Sequence, residues 1–214
     1  MQFKTKENQV ADYLREGIIA GRFPRGTRLK QQELAVMLNT SITPVREALK
    51  LLEAEGYVSG DSYKGAVVAP FDLKASSEVL HLRILLETQL VRGTVEHAAA
   101  GDIAGLKPLA EEFSRAFAAG DNEAARAANY RFHHRMFEIA QLPQTLHFVQ
   151  ILWARYPFDV INRVQGRISR AAEEHDRILD AIIAGDAAGA MLATRQHIEA
   201  GWQELRAALA AEGA

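Results

Sequence analysis

The chain has 214 residues and no cysteine, which excludes a disulfide framework, a thiolate metal site and a cysteine nucleophile. Any bound metal must therefore rely on nitrogen and oxygen donors. No apolar run approaches the roughly 18 to 20 residues that a membrane span requires, and the start, from Met1 to Leu14, lacks the apolar core of a secretion signal. A cytoplasmic protein with no membrane partner is expected. An excess of charge of one sign is also missing: 25 Lys and Arg nearly balance 27 Asp and Glu. Residues 1–70 carry ten basic against eight acidic residues, and the remainder fifteen against nineteen. So small a basic excess does not identify a nucleic-acid binder, and the case for one has to come from where the cations stand. Histidine is absent from the first 80 residues, all seven lying beyond them.

What is present is an ordinary globular composition, 48% hydrophobic and 24% charged, long enough for two compact units. Val10, Leu14 and Ile18 repeat every four residues in a helix from about Asn8 to Ala20, with Gly21 placed as its left-handed cap. Phe23 to Gly26 reads as a turn. A second helix covers about Gln31 to Leu38, with Leu34, Ala35 and Leu38 inward, and a polar corner follows at Asn39, Thr40 and Ser41. The third helix opens with Thr43 as N-cap and Pro44 at the first helical position, and stops at Gly56. Two β-prone runs, Tyr57 to Ser59 and Ala66 to Val68, then flank turn residues as in a hairpin. Three short helices followed by a hairpin predict a winged helix-turn-helix over residues 1–70.

After Pro70 the texture changes to Ala-rich amphipathic segments, with breaks near Gly101, Gly120, Pro143, Gly166 and Gly185. Six helices are expected there. The fold class is thus mainly α, an N-terminal winged helix-turn-helix followed over residues 71–214 by a six-helix antiparallel bundle.

On the third helix Val45, Ala48, Leu49 and Leu52 recur at core spacing, which turns Arg46 and Lys50 outward along one stripe. Thr43 adds a hydroxyl near the helix N-terminus, where backbone N–H groups favour phosphate. Arginine can bridge both acceptors of a guanine edge, so readout falls to Arg46 and positioning to Thr43 and Lys50. Lys64 and Gly65, at the hairpin tip, can approach the backbone or minor groove. On an isolated helix the same cations would be ordinary solvated charges; the surrounding three-helix-plus-wing layout favours DNA.

In the second half, Asn129, His133 and Phe137 stand at i+4 spacing beside a stripe of Ala125, Ala128, Phe132 and Met136. His175 shares the inward side of its helix with Ile168, Ala171, Ile178 and Ile182. His197 lies in line with Ala190, Thr194 and Gly201, whose small side chains leave room before it. These histidines are either packed core residues or a converging set of metal ligands, and residue spacing alone leaves both open.

Four segments carry a family resemblance: Ile19 to Leu29; Glu33-Leu34-Ala35; Ser41-Ile42-Thr43-Pro44-Val45-Arg46-Glu47-Ala48-Leu49; and Leu52-Glu53-Ala54-Glu55-Gly56-Tyr57-Val58. Together they resemble the winged helix of the GntR family of bacterial transcription regulators. The resemblance implies that Arg28, Thr43, Arg46 and the wing glycine Gly65 touch DNA, and that a homodimer binds an inverted-repeat operator on double-stranded DNA. Ile42 departs from the pattern, since relatives usually carry arginine there. The second half resembles the helical effector domain of the FadR subgroup, called FCD, through Tyr130-Arg131-Phe132-His133, Glu173-Glu174-His175 and Arg195-Gln196-His197-Ile198. Six helices rather than seven make it most similar to the VanR-like branch. That resemblance implies a divalent metal on Asn129, His133, His175 and His197, with zinc or nickel suited to an imidazole-rich site. Arg83, four residues before Glu87, resembles a first-helix position of the domain and is expected either to form an intrahelical ion pair or to grip a small carboxylate effector. A non-enzymatic regulator, a repressor released by its effector, is the reading that follows. Its rivals are a metal-dependent hydrolase and a regulator responding to metal alone.

Overall fold

The computed structural model describes residues 5–60, 66–70, 76–156, 158 and 167–212. Lys64 and Gly65, expected at the wing tip, lie outside the described residues. Helix α1 spans Lys6–Ala20, α2 Gln31–Met37 and α3 Ile42–Glu55. Gly56 closes α3 at φ 85°, a left-handed conformation that glycine adopts without a Cβ penalty. The corner between α2 and α3 turns on Asn39 at φ 46°, a left-handed conformation that asparagine, with few other non-glycine residues, visits readily. Leu14, Val45, Ala48, Leu49 and Leu52 are fully buried beneath this triad, as their helical spacing requires.

Two local expectations are corrected. The cap of α3 is Ser41, in extended conformation, with Ile42 the first helical residue and Thr43 one place inside; both hydroxyl residues suit a cap, and the helix takes the earlier. A strand, β1 (Arg28–Leu29), joins the expected hairpin of β2 (Val58–Ser59) and β3 (Ala66–Val68). The sheet order is β1-β3-β2, both pairings antiparallel, with Leu29 opposite Ala66 and Val58 opposite Val68. A two-residue strand is too short to show alternation, and burial of Leu29 against the sheet is what fixes it.

Six helices follow among the described residues: α4 (Ser76–His97), α5 (Ala100–Ala118), α6 (Asn122–Ile139), α7 (Pro143–Ala154), α8 (Arg167–Ile183) and α9 (Ala187–Glu212). The first break falls before Gly101, at Ala98 and Ala99, because the Asp102 carboxylate accepts from the Ala99 amide at 3.2 Å and caps the new helix there. Asp121 is itself the cap of α6, its carboxylate accepting from the Ala124 amide at 2.9 Å. Helix α5 packs on α6 and α8, and α4 on α6, α7 and α9. No helix among the described residues is long and apolar enough to cross a membrane.

The three-helix head and the bundle share one hydrophobic core that runs from Leu14 and Leu49 to Phe132, Met136 and Ile178. Polar contacts reinforce the join. Arg131 bonds Glu16 at 2.6 Å, Tyr57 donates its hydroxyl to the Gln150 carbonyl at 2.9 Å, and Arg126 donates to the Ala20 carbonyl. Arg25 links three segments, donating to the Ala69 carbonyl and to the Tyr156 carbonyl, each at 3.0 Å.

Candidate functional site

The inward stripes of α6, α8 and α9 bring His133, His175 and His197 together. Their ring centroids stand 4.9 to 5.0 Å apart, close to an equilateral triangle, and one nitrogen of each lies within 4.8 Å of the others. All three are buried. Phe113 and Phe132 pack against the His175 ring, which makes that side of the cluster apolar. Burial, followed by neighbouring histidines and arginines, pushes all three imidazoles well below their ordinary range. They are neutral at pH 7, the form that offers a lone pair.

The donor set fits a divalent ion. His133 Nε2 and His175 Nε2 are 3.1 Å apart, and two nitrogens on one ion with bonds of about 2.1 Å at tetrahedral or octahedral angles stand roughly 3.0 to 3.4 Å apart. The Nδ1 atoms of both rings are buried without a hydrogen-bond partner, so the protein imposes no tautomer and either ring can present a bare Nε2. The His197 Nδ1 meets the Glu174 carboxylate at 2.7 Å, the carboxylate-histidine arrangement that orients a ligating imidazole. Asn129 is half-buried one turn before His133 and lines the clefts beside His197. His134, one residue round the helix, turns away to Gln150 at 2.9 Å.

Two adjoining clefts with cavity volumes of about 30 and 20 Å³ open beside the histidines, each with room for about one water-sized group. Arg83, Asn129, Phe158 and His197 border both. Arg83 on α4 is buried; its Nε bonds Glu87 at 2.7 Å, and Glu87 also accepts from the Trp153 indole at 2.9 Å. The guanidinium lies 4.1 Å from the Tyr156 ring centroid and 5.1 Å from that of Phe158, so it presents a cation at an aromatic wall. The expected i,i+4 ion pair and a place at the cleft therefore coexist.

Sequence reasoning missed Arg167. It is buried, donates to Glu174 at 3.0 Å and reaches the His197 Nδ1 at 3.4 Å. Burial pushes Glu174 above the usual carboxylate range while Arg167 pulls against it. Arg167 and Glu174 are seven residues apart, two helical turns, and that spacing was the available clue. Glu173 is exposed and Glu174 is engaged by two partners, which leaves neither carboxylate placed as a general base for a water on the histidine cluster.

In the head, Thr43 and Arg28 are exposed and Arg46 and Lys50 are partly so, while Glu47 stands between the two cations of α3, 3.0 Å from Lys50 and 3.8 Å from Arg46. The Arg46 guanidinium is at the surface and not in the core, as groove contact requires. One wall of the second cleft is Ile19 of α1, so the head itself closes part of the cavity.

Comparison with known proteins places both halves. The model for bacterial regulatory proteins of the gntR family matches residues 6–68, and that for the FCD domain matches residues 78–200. The HTH-type transcriptional regulator McbR of Escherichia coli (strain K12) is 29% identical over 187 residues, 85% of this chain and 84% of its own. A probable D-xylose utilization operon transcriptional repressor of Paenarthrobacter nicotinovorans is 30% identical over 203 residues, 92% of this chain and 87% of that protein. The solved structure of E. coli McbR/YncC has a TM-score of 0.81 at 26% identity, covering 97% of this chain and all of that one.

Proposed function

Because the chain belongs to the gntR family of bacterial transcription regulators and carries an FCD domain, we propose that it is a homodimeric repressor governed by a small organic carboxylate. Residues 1–70 bind an inverted-repeat operator, and residues 71–214 sense the effector and pair the two copies. Relatives named as transcriptional repressors support the direction of control. On α3, Arg46 reads a guanine edge while Thr43, Lys50 and Arg28 hold phosphates; Lys64 and Gly65 are assigned to the wing contact from sequence.

The observation that carries the sensing half is an arginine and an aromatic wall at a pair of clefts that His133 and His197 of the neutral histidine cluster line. His133, His175 and His197, with the Asn129 amide, would hold a divalent ion of the zinc or nickel class. When bound, such an ion supplies a Lewis-acidic centre to a carboxylate. Arg83 binds the effector's anionic group and stays oriented by Glu87, while Tyr156 and Phe158 exclude water from its apolar body. The route to DNA is short: Ile19 of α1 lines the cleft, and Tyr156, under the Arg83 guanidinium, gives its carbonyl to Arg25 of the head. An effector that fits one seating of the head better than the other shifts the paired heads away from the half-site spacing.

The test is a thermal-shift screen of small carboxylates on zinc-loaded protein, followed by fluorescence anisotropy with DNA from upstream of the protein's own gene. A stabilising compound should weaken DNA binding. Arg83→Lys, which keeps the charge and loses the fork, should bind DNA as before and lose the response. A response retained by that variant would remove Arg83 from the effector site.

A further inference from the structure

Residues 42, 46 and 50 of α3 are spaced four apart and run along one side of the helix. Two are the cations Arg46 and Lys50. The third is Ile42, 41% exposed at the first helical position, next to the exposed Thr43. The core beneath α3 is closed by Val45, Ala48, Leu49 and Leu52 without it. Ile42 instead borders a shallow surface hollow with Gln32, Val36, Asn39 and Thr40, and Val36 beside it is 83% exposed. The head therefore presents apolar surface in line with its cationic stripe.

A branched aliphatic side chain has no hydrogen bond to give a phosphate or a polar base edge. Carried into a major groove by neighbours that bind there, its favourable contact is with apolar surface, and the groove offers one such group, the C5 methyl of thymine. We propose that Ile42 is a specificity-determining residue that reads a thymine methyl in each half-site, beside the base pair contacted by Arg46. The assignment rests on α3 being the recognition helix.

The full-length protein would be used to enrich binding duplexes from a random pool. Each thymine of the winning half-site would then be replaced in turn by deoxyuridine, which removes only the methyl, and affinities measured by fluorescence anisotropy. One replacement should weaken binding by the wild type about fourfold, the worth of one buried methyl. Ile42→Ala, a change at a partly exposed helix start that a helix tolerates, should bind the thymine and uracil duplexes alike. It should also bind an unrelated duplex as the wild type does, since phosphate contacts are untouched. If a sequence is enriched but no deoxyuridine duplex is weaker, or if Ile42→Ala keeps the difference, the assignment is overturned and the recognition helix stands. If the pool yields no preferred sequence, the recognition-helix reading falls and takes this assignment with it.

Discussion

At the scale of single residues, Glu174 connects the charge network to the histidines. Its carboxylate takes the Arg167 guanidinium on one side and the His197 Nδ1 on the other. A carboxylate behind a ligating imidazole raises its basicity and holds its ring in place, and loss of such a partner typically costs about 10- to 100-fold in metal affinity. Glu174→Gln, which keeps an acceptor and removes the charge, is expected to weaken zinc binding by that factor in competition with a chelating dye at neutral pH. His175→Ala should weaken it further. Zinc held by Glu174→Gln as tightly as by the wild type would show that the carboxylate serves only to neutralise Arg167. The His133 and His197 positions were legible from i+4 spacing beside apolar stripes, because helical periodicity dictates which side chains share a face. Arg167 was only half legible: its two-turn spacing from Glu174 marks a shared face, but its burial beside His197 depends also on a carboxylate from α9.

At the scale of elements, the join between head and bundle, made chiefly by α1 on α6, has a second contact where α3 ends. Tyr57 follows the Gly56 cap, is almost fully buried and bonds the α7 backbone at Gln150. Burial raises its phenol well above the ordinary value, with Tyr130 adding to the effect and Arg15 opposing it. In the unfolded chain a tyrosine loses its proton near pH 10, so the unfolded state gains from alkali before the folded one does. The stability contributed by neutral Tyr57 is therefore complete below about pH 10 and lost as pH rises beyond it. Urea unfolding at pH 8 and pH 10.5 should show a marked drop for the wild type. Tyr57→Phe should start lower by about 0.5 to 1.5 kcal/mol, for the one hydrogen bond lost, and fall less steeply. Equal slopes would discount Tyr57 as the source. The helices themselves were readable because each repeats its apolar residues over several turns. Strand β1 was not, since its partner β3 lies outside the local window, and the cap at Ser41 and the break before Gly101 each turned on a choice between neighbouring residues that helical periodicity does not make.

At the scale of the whole molecule, the two halves share a core, and the second cleft has a wall from each. Arg25 is the polar element that ties Tyr156 to the joint at Ala69. Coupling between effector and DNA is reciprocal and is typically worth about 5- to 150-fold in affinity. Arg25→Ala should bring that ratio close to one, as measured by effector binding with and without DNA, while each ligand still binds alone. An unchanged ratio would mean that the shared apolar core carries the signal. What the amino-acid sequence determined by itself was the succession of helices, the cationic stripe of α3 and the inward face of each histidine, because these follow from backbone periodicity and side-chain chemistry within one helix. Which faces meet was decided only by tertiary structure. The crossing of α6, α8 and α9 is set by the interlocking of all their side chains, and that packing brings the three histidines together, sets Arg83, Arg167 and His197 around one cleft and makes Ile19 of the head a wall of the other.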